Sequence, residues 1–129
     1  MRHILSFIWL LVGGTLPTLA DIGDTFTALT EEGAKLEFKI INESPKECEV
    51  IYSGSVHGAI TIPSTANEYS VTAIGNAAFS QCDSLISITI PNSVTTIKSN
   101  AFNYCSSLTS ITIPKSVTII WPSAFEECI

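Results

Sequence analysis

Positive charge is scarce in this sequence. It holds 6 lysine and arginine residues against 12 aspartate and glutamate residues, a formal net charge of −6. Binding to nucleic acid or to an anionic membrane surface depends on clustered Lys and Arg side chains. The composition therefore predicts no nucleic-acid partner, and we interpret the acidity as charge that keeps the protein soluble.

Residues that build metal sites and active sites are also sparse. Cys48, Cys82, Cys105 and Cys128 form no Cys-x-x-Cys pair and have no neighbouring histidine, whereas zinc sites need clustered ligands. His57 is the only histidine after residue 20 and has no nucleophile–acid motif around it. We therefore expect no catalytic residue, no metal and no cofactor, and a protein that is not an enzyme. The repeat cysteines are interpreted as small buried apolar residues, and disulfides stay open as the alternative.

No apolar run reaches the length of about 20 residues that spans a bilayer. The run at residues 4–12 follows a short basic start and is broken by glycine and proline, and the segment Thr18-Leu19-Ala20 then places small residues where a signal peptidase reads them. This order predicts a secretory signal peptide over residues 1–20, cleaved after Ala20. We accordingly expect a secreted or cell-surface protein without membrane insertion after cleavage.

One pattern recurs every 23 residues in the second half of the chain. Its aligned positions include Ile74, Ile97 and Ile120, then Phe79, Phe102 and Phe125, then Cys82, Cys105 and Cys128. Self-similarity at such a period is typical of a solenoid, in which each repeat stacks on its neighbours. The pattern predicts a repeat region over residues 58–129, with complete units at 74–96 and 97–119 and a partial unit at 120–129.

Each unit combines two local signals. The segment Leu-x-x-Ile-x-Ile alternates like a strand, and the proline after it ends the strand because proline has no N–H for a ladder. The segment around Ala-Phe follows polar residues such as Ser99 and Asn100, which predicts a short helical turn opened by a polar cap.

These positions resemble the BspA-like class of leucine-rich repeats. The consensus of that class is close to Leu-x-x-Ile-x-Ile-Pro-x-x-Val-x-x-Ile-x-x-x-Ala-Phe-x-x-Cys, and the resemblance covers residues 59–129. It implies an α/β solenoid, namely a right-handed leucine-rich-repeat solenoid of short parallel strands with short helical turns. It also implies a secreted or surface-exposed scaffold used for binding.

Residues 21–57 contain no repeat. Residues 25–29, 36–40 and 48–52 have strand patterns and are separated by segments typical of turns. We predict a β-rich N-terminal cap that covers the first turn of the solenoid, since a bare first turn would expose apolar side chains and a strand edge.

The candidate binding surface lies on the predicted strands and on an insertion. Residues between the inward isoleucines should face solvent as an uncharged ladder, formed by Ala59, Thr61, Ser87, Thr89, Ser110 and Thr112. Five extra residues between Pro63 and Val71 add Asn67, Glu68 and Tyr69, with a plain loop or small hairpin as the alternative. The ladder covers roughly 150–200 Å², well below the about 800 Å² per partner of a standard interface.

We therefore expect a non-enzymatic secreted or cell-surface module for binding or adhesion, with a protein partner at a cell surface or in the extracellular matrix. A carbohydrate-binding module with a glycan partner is one alternative. Another is a structural spacer in a fragment of a longer repeat protein, because no Leu-x-x-Ile-x-Ile strand follows Cys128.

Overall fold

A computed structural model describes residues 21–128, so the predicted signal peptide lies outside the described range. These residues form strands and turns without a helix, and hence nothing among them is a helix long and apolar enough to cross a membrane. The strands are β1 (Thr25–Leu29), β2 (Lys35–Glu43), β3 (Lys46–Tyr52), β4 (Gly58–Thr61), β5 (Thr65–Ala66), β6 (Tyr69–Ile74), β7 (Leu85–Thr89), β8 (Thr96–Ile97), β9 (Ser110–Thr112) and β10 (Ile119–Ile120).

The strands form a β-solenoid of about three turns with two sheets. A seven-stranded sheet has the order β1-β2-β3-β6-β8-β10, with β5 paired to β6, and a three-stranded sheet has the order β4-β7-β9. Each turn gives one strand to each sheet, and strands of successive turns pair in parallel. Ile60, Ile88 and Ile111 share one register in the three-stranded sheet. This register confirms the predicted repeat alignment.

The third side of the solenoid is made of tight turns, so the predicted helical turns are absent from the described residues. Two positions per unit adopt a left-handed backbone and recur 23 residues apart: Ala77, Asn100 and Ser123, then Gln81, Tyr104 and Glu127, with φ between 56° and 63°. A left-handed residue interrupts the right-handed φ series of an α-helix. It also turns N–H groups toward the next turn, as in the bonds from Ala77 to the Ser99 carbonyl (3.0 Å) and from Phe79 to the Ala101 carbonyl (2.7 Å).

Aromatic rings fill the core beneath these turns. Phe79, Phe102 and Phe125 form a continuous stack with centroid spacings of 5.2 and 5.3 Å and ring planes within 8° of parallel. Such stacking adds to the energy of apolar burial. The thiols behind the rings donate to carbonyls of the preceding turn, from Cys105 to Phe79 (3.0 Å) and from Cys128 to Phe102 (2.8 Å).

The N-terminal strands form the predicted meander and extend the seven-stranded sheet. β1, β2 and β3 pair antiparallel, and β3 then pairs in parallel with β6 of the first turn. Leu36 and Phe38 of β2 are fully buried, because alternate residues of the strand face the core. The meander therefore covers the first turn on this sheet.

A buried carboxylate ties the meander to the second turn. Glu49, only 4% exposed, lies 3.2 Å from the Lys39 ammonium and 2.8 Å from the Lys98 ammonium. A buried charge is stable only when it is paired in this way. Gly75 lies beside this carboxylate. A larger residue does not fit there, because a Cβ would come within 2.6 Å of the Val50 carbonyl oxygen.

Candidate functional site

The predicted ladder forms on the outer face of the three-stranded sheet. Ala59, Ser87 and Ser110 are in register across the three strands, and so are Thr61, Thr89 and Thr112. Thr61 and Ser87 are half-buried and the other four are exposed. The arrangement is therefore as predicted, and the binding role of these residues stays a prediction.

The ladder has an apolar extension that the sequence pattern did not indicate. Ile86 of β7 is 52% exposed and is passed over in the pairing with β4, in which Gly58 pairs with Leu85 and Ala59 with Ser87. The equivalent position in the next unit is Thr109, whose N–H donates to the Ile86 carbonyl at 2.9 Å. An exposed β-branched apolar side chain at the edge of a flat polar ladder is a candidate anchor for a protein partner.

The insertion is a small hairpin. β5 folds back antiparallel on the start of β6, and the two residues between them, Asn67 and Glu68, both have positive φ (49° and 72°). These angles are typical of a tight two-residue hairpin turn, and asparagine is favoured at the first of its two positions. Both side chains are exposed and remain candidate binding residues.

Tyr69 was predicted as part of the binding surface, and this placement is wrong. The residue is 4% exposed, its ring lies 5.9 Å from that of Phe26, and its hydroxyl donates to Glu43 at 2.6 Å. Burial, followed by this hydrogen bond, raises the pKa of Tyr69 to about 12. The Tyr69 ring therefore faces inward, where it joins the hairpin to Phe26 and Glu43 of the cap.

A groove that no sequence pattern indicated lies between the cap and β4. Its volume is about 560 Å³, within the range of ligand pockets. One wall is the start of β2 with the turn before it, and the other is the segment from Tyr52 to His57. Val56 and Ile60 supply apolar side chains, while Glu32, Lys35, Glu37 and His57 supply charge and hydrogen-bonding groups. The groove joins residues about 20 positions apart, so no local sequence signal could have indicated it.

A shallower depression lies on the turn side of the solenoid. Tyr104 is 53% exposed and lines this depression with Gln81, Asp83 and Ser106. An exposed aromatic ring beside an amide and a carboxylate combines a stacking surface with hydrogen-bonding groups. No pattern in the sequence indicated this cluster.

The four cysteines are free thiols. Burial is the main reason that the pKa of Cys48 and that of Cys105 are raised to about 12. Burial also raises the pKa of Cys82. Buried thiols with raised pKa values are poor nucleophiles. Within residues 21–128, no group of three or more His, Cys, Asp or Glu side chains is arranged to hold a metal ion.

Comparison with solved structures shows the same architecture in bacterial proteins. A leucine rich cell surface protein from Faecalibacterium prausnitzii A2-165 is 30% identical with a TM-score of 0.59, over 78% of this chain and 27% of its own. A leucine-rich repeat protein from Bacteroides capillosus ATCC 29799 is 25% identical with a TM-score of 0.57, over 73% of this chain and 70% of its own. The T. pallidum leucine rich repeat protein, at 24% identity and a TM-score of 0.62, shares the fold over 79% of this chain and 42% of its own.

The chain thus spans less than half the length of the T. pallidum and F. prausnitzii proteins. A search of curated proteins finds no match. The profile of the BspA type leucine rich repeat region matches residues 37–129 in six copies, starting inside the segment predicted as a cap. Because this match covers most of the chain, the chain belongs to the BspA-type leucine-rich-repeat family.

Proposed function

We propose that this chain is a non-enzymatic binding module that acts at the cell surface or outside the cell and holds a protein partner on the outer face of its three-stranded sheet. The observation that carries the proposal is the in-register, uncharged ladder of Ser87, Thr89, Ser110 and Thr112. Side chains of this kind can receive a partner without the cost of burying charge. The F. prausnitzii relative, described as a cell surface protein, supports the location.

The ladder by itself is small, so the contact needs neighbouring surface. Ile86 extends it on one side, and the exposed hairpin turn at Asn67 and Glu68 extends the solenoid surface on another. A family scaffold of more repeats would multiply the contact, since linked weak sites gain affinity through effective concentration.

The test is a charge-matched pair of double variants. Thr89→Lys with Thr112→Lys places two cations on the ladder, whereas Asn76→Lys with Thr118→Lys places the same charge on exposed residues off the ladder. We expect the ladder variant to lose at least about tenfold in binding to intact cells or immobilised matrix proteins, because lysines there would be desolvated by the partner. The control variant should bind as the wild type does.

Equal binding by both variants would contradict the proposal and favour the spacer interpretation. Cell-surface or secreted location is tested separately, by N-terminal sequencing of the exported protein. Cleavage after Ala20 is the expected result.

Glycan binding is the second candidate function, and the exposed Tyr104 ring with Asp83 and Gln81 favours it. A specific glycan-array signal that Tyr104→Ala removes, and that the ladder variant keeps, would support this function in place of protein binding. Absence of any glycan signal would exclude it.

A further inference from the structure

The two sheets end at different heights on the N-terminal side. The seven-stranded sheet continues through β3, β2 and β1 beyond the first turn, whereas the three-stranded sheet ends at β4. The three-stranded sheet therefore has no strand opposite the meander, and this difference in length leaves a step between the two sheets. The groove of about 560 Å³ occupies this step, with Ile60 of β4 on one side and Leu36 of β2 on the other.

The free edge of β4 faces this step. The N–H groups of Gly58 and Ile62 donate toward β7, to the carbonyls of Ser84 (2.9 Å) and Thr89 (3.0 Å). Because successive residues of a strand point their backbone groups to opposite sides, the N–H groups of Ala59 and Thr61 point away from β7. Glu32 of the β1–β2 turn accepts the Thr61 N–H at 2.9 Å. The Ala59 N–H points to the free edge of β4, where residues 21–128 supply no further strand, and the residues on either side of this edge position, His57 and Ile60, line the groove.

The hydrogen bond at Thr61 shows that the free edge of β4 can donate to an acceptor outside the sheet. A carboxylate oxygen of Glu32 occupies the place that a strand carbonyl would take, and bonds from Thr61 hold the pKa of Glu32 below its ordinary value. This contact closes one end of the edge. The remainder of the four-residue strand β4, with the segment before it, is about long enough to pair with three extended residues at 3.3 Å per residue.

The charges of the groove select the chemistry of an occupant. Glu32 and Glu37 line it against one lysine, Lys35, and Glu31 is exposed on the turn beside it. A basic side chain is therefore favoured at the rim. Val56 and Ile60 favour an apolar side chain on the inward face, and in an extended peptide these two kinds of residue alternate.

We propose that this groove binds an extended peptide segment of a partner protein, with alternating apolar and basic residues, which pairs with β4 as an added strand. Backbone hydrogen bonds to Ala59 would supply affinity, and the groove would supply side-chain selection, as in other cases of strand addition. This site is distinct from the outward ladder, because it uses the backbone edge and the inner side of β4.

The test titrates the isotope-labelled chain with acetyl-Val-Lys-Val-Lys-Val-amide and follows the backbone amides by NMR. Saturable shifts are expected at His57, Ala59 and Lys35. The peptide acetyl-Val-Glu-Val-Glu-Val-amide, of the same length and strand propensity, should bind at least about fivefold more weakly because of the groove acids. Shifts confined to other residues, or equal binding of the two peptides, would overturn the proposal.

Two variants probe the edge itself. Ala59→Pro removes the N–H that points to the free edge of β4 without removing a bond to β7, and should weaken binding about tenfold. Ala59→Val keeps the N–H and should stay within about twofold of the wild type. Equal binding by the two variants contradicts strand addition.

If the proline variant does not fold, Glu37→Lys replaces it and should reduce the preference for the basic peptide. An unchanged preference would contradict the site. Shifts at Ala59 that appear on raising protein concentration without peptide would assign the edge to a second copy of the chain and overturn the proposal. The Thr89→Lys, Thr112→Lys variant should bind the peptide normally, so failure of the ladder function and failure of the groove are distinguishable.

Discussion

The first and last turns bury equivalent side chains to very different extents. Ile74 and Ile97 are fully buried, whereas Ile120, at the same position one unit later, is 49% exposed. Its neighbours Ile119 and Trp121 are also about half exposed. The residue type is the same at all three equivalent positions, so burial in this solenoid is supplied by the neighbouring turn and not by the residue itself.

The two ends also differ in their polar ties. At the N-terminal end, Glu49 joins strand β3 to Lys98 of the second turn, and Tyr69 joins the hairpin to Glu43 of the cap. Both contacts connect segments 20 or more residues apart, so they hold the cap and the first two turns together. We expect the free energy of unfolding to depend strongly on the first two turns and weakly on the last.

The largest expected effect compares two rings of the same stack. Phe102→Ala removes a fully buried ring with aromatic neighbours on both sides and should cost about 3–5 kcal/mol of unfolding free energy. Phe125→Ala removes a half-buried ring with one stacked neighbour and should cost less than about half of that. Urea unfolding of both variants is the measurement. Equal losses would refute the gradient between the turns.

The next effect concerns the buried carboxylate. Lys98→Met leaves Glu49 with Lys39 alone, and because unpairing a buried charge is costly we expect a loss of about 2 kcal/mol. Lys115→Met, at an exposed lysine of the last turn, is the matched control and should change stability by less than about 0.5 kcal/mol. Thermal unfolding at one pH compares them. A neutral Lys98→Met would show that the tie does not stabilise the cap.

A smaller effect is expected at the hairpin. Tyr69→Phe removes the hydroxyl that donates to Glu43 and should cost about 1 kcal/mol. The pKa of Tyr69 is about 12 in the folded chain against about 10 for an unfolded tyrosine. Since the folded-state pKa is raised, this contribution is present below pH 10 and is lost as the pH rises toward 12. The stability advantage of the wild type over the variant should therefore fall as the pH rises above 10, and a constant difference would contradict this linkage.

The smallest effect is expected in the last turn. Ile120→Thr changes a half-exposed strand residue and should cost below about 1 kcal/mol, whereas Ile97→Thr at the buried equivalent should cost clearly more. Hydrogen exchange adds a local measurement, with slower exchange expected in β7 than in β9. Similar exchange in both strands would argue against graded stability.

Much of the fold was predictable because it repeats. The 23-residue period placed Ile88 opposite Ile111, and the alternation of β7 and β9 placed Thr89 and Thr112 on one outer face. The three cap strands were also predictable from local strand patterns, most clearly β2, in which apolar and charged residues alternate. The tight turns were not, because a left-handed backbone at Ala77 or Tyr104 has no glycine to indicate it.

The periodic features of this protein, namely the repeat register, the outward ladder and the family, could be read from the sequence because they depend on short-range spacing that each unit restates. The burial of Tyr69, the link between Glu49 and Lys98 and the groove beside Ile60 follow instead from how distant parts of the chain pack. These features join the cap to turns far along the chain. Their geometry therefore depends on how the two parts pack, and packing between distant segments leaves no periodic pattern in the sequence.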